Sequence, residues 1–402
     1  MAEIALQEPA IAVAEPVHAQ GQDKPPSDVS ALELLCKALG MDLHAKNPLE
    51  APDVDFLQHM ARLPVDFTAV PNGADVENMR KWIDSTLLHG PLAEARLQCD
   101  LKCQQPPVPI DIRNISVPCS DGSGHKFGIR MYVPRIARNE GEAQGMPAIL
   151  MLHGGGWIHG KPEGDEAFSI HLASELRAVV LGVDYRLAPE HPYPAALDDC
   201  CEALEWVTRH ASEYNIDASR IGIWGASAGG NLAAALAIRL SQAASSERCR
   251  SLRLVSLVVP VTAHPKAQLT FERDRTIGKS QNGLSFDDSQ RAPDAVVKDF
   301  EKLYELYTGG RTDPCDPLLS PLMAKLDASH PPTHVTVAAC DLLKFQGLAY
   351  AQHLRSAGVK VVEEVLPGVP HGFTFPVNAE VTKSWLARQV DAFGAAFAGK
   401  PS

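Results

Sequence analysis

Gly225-Ala226-Ser227-Ala228-Gly229 sets a serine between two glycines, after the apolar run Ile221 to Trp224 and before an alanine-rich stretch from Asn231. A serine hydroxyl is a weak nucleophile at neutral pH and needs an exposed oxygen and a neighbouring base. A sharp strand-to-helix turn exposes the oxygen, and glycines two residues either side relieve crowding. The five-residue pattern arises by chance in roughly one chain in seven of this length, at about 7% for each fixed residue, so its placement carries the argument. Upstream, His153-Gly154-Gly155-Gly156-Trp157 follows another apolar run. Three consecutive glycines suit a loop whose N–H groups approach something closely. Gly155, Gly156 and Ala228 are the expected donors to an oxyanion.

A serine nucleophile requires a base, and the base requires an orienting acid. His371 sits in the Pro/Gly loop Pro367 to Gly372, after the last strand-like run, and is the expected base. His353 falls in a helical pattern, and His330 and His334 precede a strand, so these read as surface or packing residues. Asp341 follows the strand-like run Val335 to Cys340 and is the expected acid. Its rivals are Asp313, Asp316, Glu363 and Glu364, the last two within a strand.

The elements that must position these residues can be read from hydropathy. Residues Ala31 to about Pro107 read as mostly helical, with helices at Ser30 to Leu39, Val54 to Arg62 and Ala74 to Leu88. Pro106-Pro107-Val108-Pro109 breaks that pattern. Val108 to Val117 and Phe127 to Val133 then read as strands joined by a turn at Ser120 to Gly124. Buried-type runs follow at Ala148–Leu152, Ala178–Val183, Arg220–Trp224, Leu254–Val259, His334–Ala339 and Val359–Val365. Helical patterns lie between and after them at about Ala195–His210, Gly230–Gln242, Phe345–Ser356 and Ala379–Phe397. Such alternation predicts an α/β fold, a mostly parallel central sheet covered by helices on both faces. Ligand-binding residues of such sheets lie beyond the carboxyl ends of the strands, where every candidate above falls. Thr262 to Gly310 is polar, then helical, with no strand of its own, and reads with the N-terminal helices as a cap. The expected organisation is a disordered tail at 1–28, a helical cap region at 29–107, and a catalytic domain at 108–402 with its cap insertion at 262–310.

Composition narrows the function classes. The 402 residues are 45% hydrophobic, ample for a large core, and carry a formal net charge of −12. With no basic stripe, nucleic acid is not an expected partner. No run of eighteen apolar residues predicts a transmembrane helix. Glu3 and Glu8 stand where a signal peptide would carry positive charge, so the expected location is cytoplasmic. Nine scattered cysteines without metal-ligand spacing read as reduced thiols, and no metal is expected. Asn114-Ile115-Ser116 is a glycosylation sequon that has no consequence without export.

Four stretches together resemble the hormone-sensitive-lipase-like esterases of the α/β-hydrolase fold. They are His153 to Trp157, Asp184 to Glu190 with Pro194-Ala195-Ala196, Gly225 to Gly230, and His371-Gly372-Phe373. The order Ser227, Asp341, His371 is the one expected of that fold. The resemblance spans about residues 110 to 400. It implies hydrolysis of a small-molecule carboxylic ester, no cofactor, a helical cap and, as is frequent in that family, a homodimer; the acyl group is expected to be short to medium. Tyr185 to Glu190 is expected to be architectural. Two departures stand out: Ala226 replaces the acidic residue usual before the nucleophile, and Asp341 is followed by Leu342-Leu343-Lys344. The longer N-terminal region and insertion suggest a specialised substrate, such as a secondary-metabolite ester. The same machinery serves an arylformamidase-like amidase or an acyltransferase. A non-enzymatic small-ligand receptor, of the kind represented by the plant gibberellin receptors, would lack the histidine base.

Overall fold

The apolar runs become the strands of one nine-stranded sheet, ordered β1-β9-β8-β7-β6-β4-β5-β3-β2. The computed structural model describes residues 12–13, 29–65, 75–97, 105–136, 145–242, 252–267 and 294–399. The strands are β1 (Ala12–Val13), β2 (Ile110–Pro118), β3 (Lys126–Pro134), β4 (Met146–Leu152), β5 (Val179–Asp184), β6 (Ile216–Ala226), β7 (Leu252–Val258), β8 (Thr333–Ala338) and β9 (Val361–Leu366). β2 and β3 form an antiparallel hairpin, β3 joins β5 antiparallel, and the other pairings are parallel. Parallel neighbours need a crossover, and helices supply it. They are α5 (Glu166–Leu176), α6 (Ala195–Arg209), α7 (Ala228–Gln242) and α9 (Lys344–Ser356), with α10 (Glu380–Ala398) last.

The side-chain period of two sorts each strand between two cores. Ala148, Leu150 and Leu152 of β4 join the core that contains Leu197 of α6, Leu232 of α7 and Leu354 of α9. Ile149 and Met151 join the opposite core, with Phe168 of α5 and Trp385 and Phe393 of α10. At β4, in the interior of the sheet, both faces are therefore buried.

The N-terminal region contributes α1 (Val29–Ala38), α2 (Val54–Arg62), α3 (Val76–Ile83) with a π-helical turn at Asp84–Leu88, and α4 (Pro91–Leu97). Cys36, Phe56, Leu57 and Met60 lie in the same core as Trp385, so α1 and α2 cover a face of the sheet. In the insertion, α8 (Asp294–Thr308) is the helix expected there; residues 268–293 lie outside the described residues. Two helices exceed the expectation. Proline starts α4, as suits a first helical position. α5 is buried on most sides, from Ala167 to Ser174, so it has no amphipathic stripe to read. Of the tail expected at 1–28, Ala12–Val13 instead pairs in parallel with Glu364–Val365 and occupies the open edge of β9. The rest of that tail up to residue 28 lies outside the described residues.

Candidate active site

Ser227 occupies the single residue between β6 and α7, at φ +55°, a conformation that non-glycine residues rarely adopt. The turn is held from both sides. Ser227 N–H donates to Val258 O at 2.9 Å, and Ser227 O accepts from Asn231 N–H at 3.0 Å and Val261 N–H at 3.2 Å. Helix and strand nearly touch here. A Cβ on Gly229 would stand 2.0 Å from Leu152 O, and one on Gly225 would stand 2.2 Å from Gly229 O. The glycines are thus required by close backbone approach.

His371 and Asp341 converge on this serine. His371 Nε2 lies 2.9 Å from Ser227 Oγ, and its Nδ1 lies 2.8 Å from Asp341 Oδ2. The tautomer that serves both contacts carries its proton on Nδ1 and offers the Nε2 lone pair to the serine hydroxyl. The other carboxylate oxygen of Asp341 accepts from Leu343 N–H at 2.9 Å, so the acid is fixed at both oxygens. The Asp341 side chain is 2% exposed and the His371 side chain 42%, so water reaches the ring and not the carboxylate. Desolvation lowers the imidazole pKa, but the charge and hydrogen bond of Asp341 outweigh it. The ring's pKa lies above the ordinary histidine value.

The loops bearing these two residues rest on the N-terminal region. Gly368, at φ +67°, donates from N–H to Leu49 O at 2.8 Å and accepts from Asp53 N–H at 2.9 Å. A Cβ on Gly368 would stand 2.6 Å from Ala51 O. Beside Asp341, Lys344 Nζ reaches Glu50 Oε1 at 2.5 Å and Ala339 O at 3.0 Å.

The glycine loop supplies donors. Gly155 and Gly156 have φ of +120° and +59°. Among the described residues, neither N–H has a hydrogen-bond acceptor. Ala228 is the first residue of α7, where N–H groups lack intrahelical acceptors. The loop is clamped on both sides. Arg80 of α3 donates to Ile158 O at 2.7 Å and Ala188 O at 2.8 Å, and pairs with both Glu190 oxygens at 2.7 and 2.8 Å. This gives Tyr185 to Glu190 the architectural role expected of it. On the other side Trp157 stacks on Tyr307 of α8, centroids 4.4 Å apart, and a Cβ on Gly156 would meet Leu303 at 2.9 Å. His153 is a packing residue: it stacks on Tyr185 at 4.1 Å, and burial holds its pKa down to about 4.

The rival candidates are engaged elsewhere. His353 Nε2 meets Ala324 O at 2.7 Å, His330 Nδ1 meets Pro331 O at 2.9 Å, and His334 lies 3.2 Å from Glu364. Asp316 accepts from Tyr193 Oη at 3.0 Å, Glu363 pairs with Arg355 at 2.6 Å, and Asp313 accepts from Cys315 N–H at 2.9 Å.

A cavity of about 420 Å³ opens over Ser227 and His371. Its lining includes the apolar Val259, Val261, Phe300, Leu303 and Phe375 and the charged Arg96, Lys161 and Asp165. Sequence reasoning missed Arg80, Arg96, Asp165 and Val259. Val259, at φ +40°, is an outlier for a β-branched residue. No local sequence signal marks any of the four.

A mostly parallel sheet with a serine at the strand–helix turn and a histidine–aspartate pair at the same end defines an α/β hydrolase. A family model described as alpha/beta hydrolase fold matches residues 149–375. The ethyl acetate hydrolase of Pseudomonas putida is 32% identical over 262 residues, covering 65% of this chain and 75% of that protein. The versiconal hemiacetal acetate esterase of Dothistroma septosporum is 28% identical, covering 78% and 94%. Among solved structures, a bacterial heroin esterase superposes with a TM-score of 0.67 at 25% identity, covering 86% of this chain and 98% of that one. The chain belongs to the hormone-sensitive-lipase-like esterases of the alpha/beta hydrolase fold and is a carboxylic ester hydrolase. Among the described residues, no helix is long and apolar enough to cross a membrane.

Proposed function

We propose that the chain hydrolyses a small carboxylic ester with a short to medium acyl group through an acyl-serine intermediate on Ser227. His371 Nε2 takes the hydroxyl proton as Ser227 Oγ bonds to the ester carbonyl carbon. The resulting oxyanion accepts hydrogen bonds from the N–H groups of Gly155, Gly156 and Ala228. The C–O bond to the alcohol then breaks, and the alcohol leaves with the proton from His371. Water, deprotonated by the same ring, attacks the acyl group and releases the acid and free serine. Asp341 holds the ring's tautomer and stabilises its cationic form.

The observation that carries this reading is the unbroken contact Asp341–His371–Ser227, at 2.8 and 2.9 Å. The cavity of about 420 Å³ supports a small substrate, and two of the relatives act, by name, on acetate esters. In this reading the cap consists of α3, α4 and α8, because Ile83, Leu88, Arg96, Phe300 and Leu303 share the cavity with Ser227. A secondary-metabolite ester remains the substrate class in view.

The test is a p-nitrophenyl ester series from acetyl to long acyl, with Ser227→Ala in parallel. The native protein should favour the short members, and Ser227→Ala should lose on the order of 10⁴-fold or more in kcat. Turnover by a folded Ser227→Ala protein within tenfold of native would remove Ser227 from the mechanism.

A further inference from the structure

Asp165 stands at the N-cap of α5, where an aspartate ordinarily accepts a hydrogen bond from the first turn. It makes no such bond. Among the described residues no group donates a hydrogen bond to its carboxylate, and the charge acting on it is that of Arg96. Asp165 lines the cavity that holds Ser227. A carboxylate that neither caps its helix nor pairs is an acceptor directed elsewhere, and the open side is the cavity.

We propose that Asp165 binds the substrate, accepting a hydrogen bond from a neutral hydroxyl or phenol carried by the ester. This deepens, and rests on, the reading of Ser227 as nucleophile. The surroundings select the donor's charge. Arg96 is buried, donates to Gly164 O and lies over the Phe168 ring at 5.5 Å, so its cation is fixed beside the cavity. Lys161 is a second cation among the residues that line the cavity. An ammonium group on the substrate would meet two positive charges, and a carboxylate would have to sit beside Asp165. A neutral O–H donor meets neither penalty and gives the carboxylate the partner it lacks. Burial raises the Asp165 pKa to about 6, against the pull of Arg96, as befits an acceptor without a donor.

The test uses the full chain and two matched ester pairs. One pair carries the hydroxyl in the acyl part: p-nitrophenyl 3-hydroxybutyrate against p-nitrophenyl butyrate. The other carries it in the alcohol part: 2-(4-hydroxyphenyl)ethyl acetate against 2-phenylethyl acetate. Native protein should favour the hydroxylated member of one pair by roughly ten- to a hundredfold in kcat/KM, and the responding pair says which part of the ester meets Asp165. In Asp165→Ala that ratio should fall to about one, whatever happens to the absolute rates. If Asp165→Ala does not fold, Asp165→Asn, which keeps a weaker neutral acceptor, should lower the ratio severalfold. Native protein without preference in either pair, or a preference that survives substitution, overturns the proposal. Failure to hydrolyse the unsubstituted members, or hydrolysis unaffected by Ser227→Ala, would instead overturn the reading of Ser227 on which it rests.

Discussion

The turn at Ser227 and the loops that face it are built in opposite ways. The turn is local: β6, one residue at φ +55°, and α7, with Gly225 and Gly229 making room within five residues. The facing loops depend on distant chain. Arg80 reaches Glu190 across 110 residues to hold the glycine loop, and Glu50 meets Lys344 across 294 residues beside Asp341. Leu49 and Asp53 bracket Gly368 on the loop that carries His371. The serine is thus placed by the sheet, whereas its partners are placed by the N-terminal region. A defect in the first should remove the site; a defect in the second should leave it assembled but out of alignment.

The largest effect should come from breaking the local side. In Gly229→Ala the new Cβ would lie 2.0 Å from Leu152 O and 2.5 Å from His153 O, both backbone atoms that cannot yield cheaply. We expect about 3 kcal/mol or more of lost stability and ester turnover near background. Thermal unfolding and turnover check this, and near-native values would show that helix and strand have room to part.

Breaking the distant side should cost less. Arg80→Ala removes the donors to Ile158 O and Ala188 O and the pair with Glu190. The chain should remain folded and lose roughly ten- to a hundredfold in kcat through misplacement of the glycine loop, with KM little changed. Steady-state kinetics decide it, and an unaltered kcat would mean that the stack of Trp157 on Tyr307 suffices.

The smallest effect is a displacement in pH. A protonated His371 cannot accept the serine proton, so kcat/KM should fall as pH falls through the ring's pKa. Asp341 outweighs desolvation, so the midpoint should lie above the ordinary histidine value. Asp341→Asn should lower it. Arg80→Ala, acting on the other loop, should lower the plateau and leave the midpoint in place. A native midpoint below the ordinary value would show that desolvation prevails at this ring.

The same division governs what was legible in the sequence. Ser227 could be read because its signal is contained in a strand, a turn and a helix that adjoin in the chain. His371 and Asp341 could be placed because parallel sheets gather functional residues at one end. Most strands and helices were legible for the reason that makes them form, the period of their apolar residues. α5 escaped because nearly every side of it is buried, which erases the periodic contrast. Arg80 escaped because a lone arginine on an amphipathic helix looks like solvated charge, and its partners at Ile158, Ala188 and Glu190 appear only in three dimensions. Asp165 escaped with it: the helix it precedes was not legible, and the missing capping bond appears only in three dimensions.

The bracket around Gly368 also orders events during synthesis. A chain emerges from the ribosome N-terminus first, so Leu49 and Asp53 are made long before the residue they enclose. Until Gly368 emerges, the Leu49 carbonyl and the Asp53 N–H have only water to bind. The serine turn needs no partner beyond β8, since Val259 N–H bonds Thr336 O and Ser227 N–H bonds Val258 O. On the ribosome the turn that carries Ser227 can therefore set before His371 arrives, and under the proposed mechanism a nascent chain stays inert toward esters until its last strand has passed the tunnel.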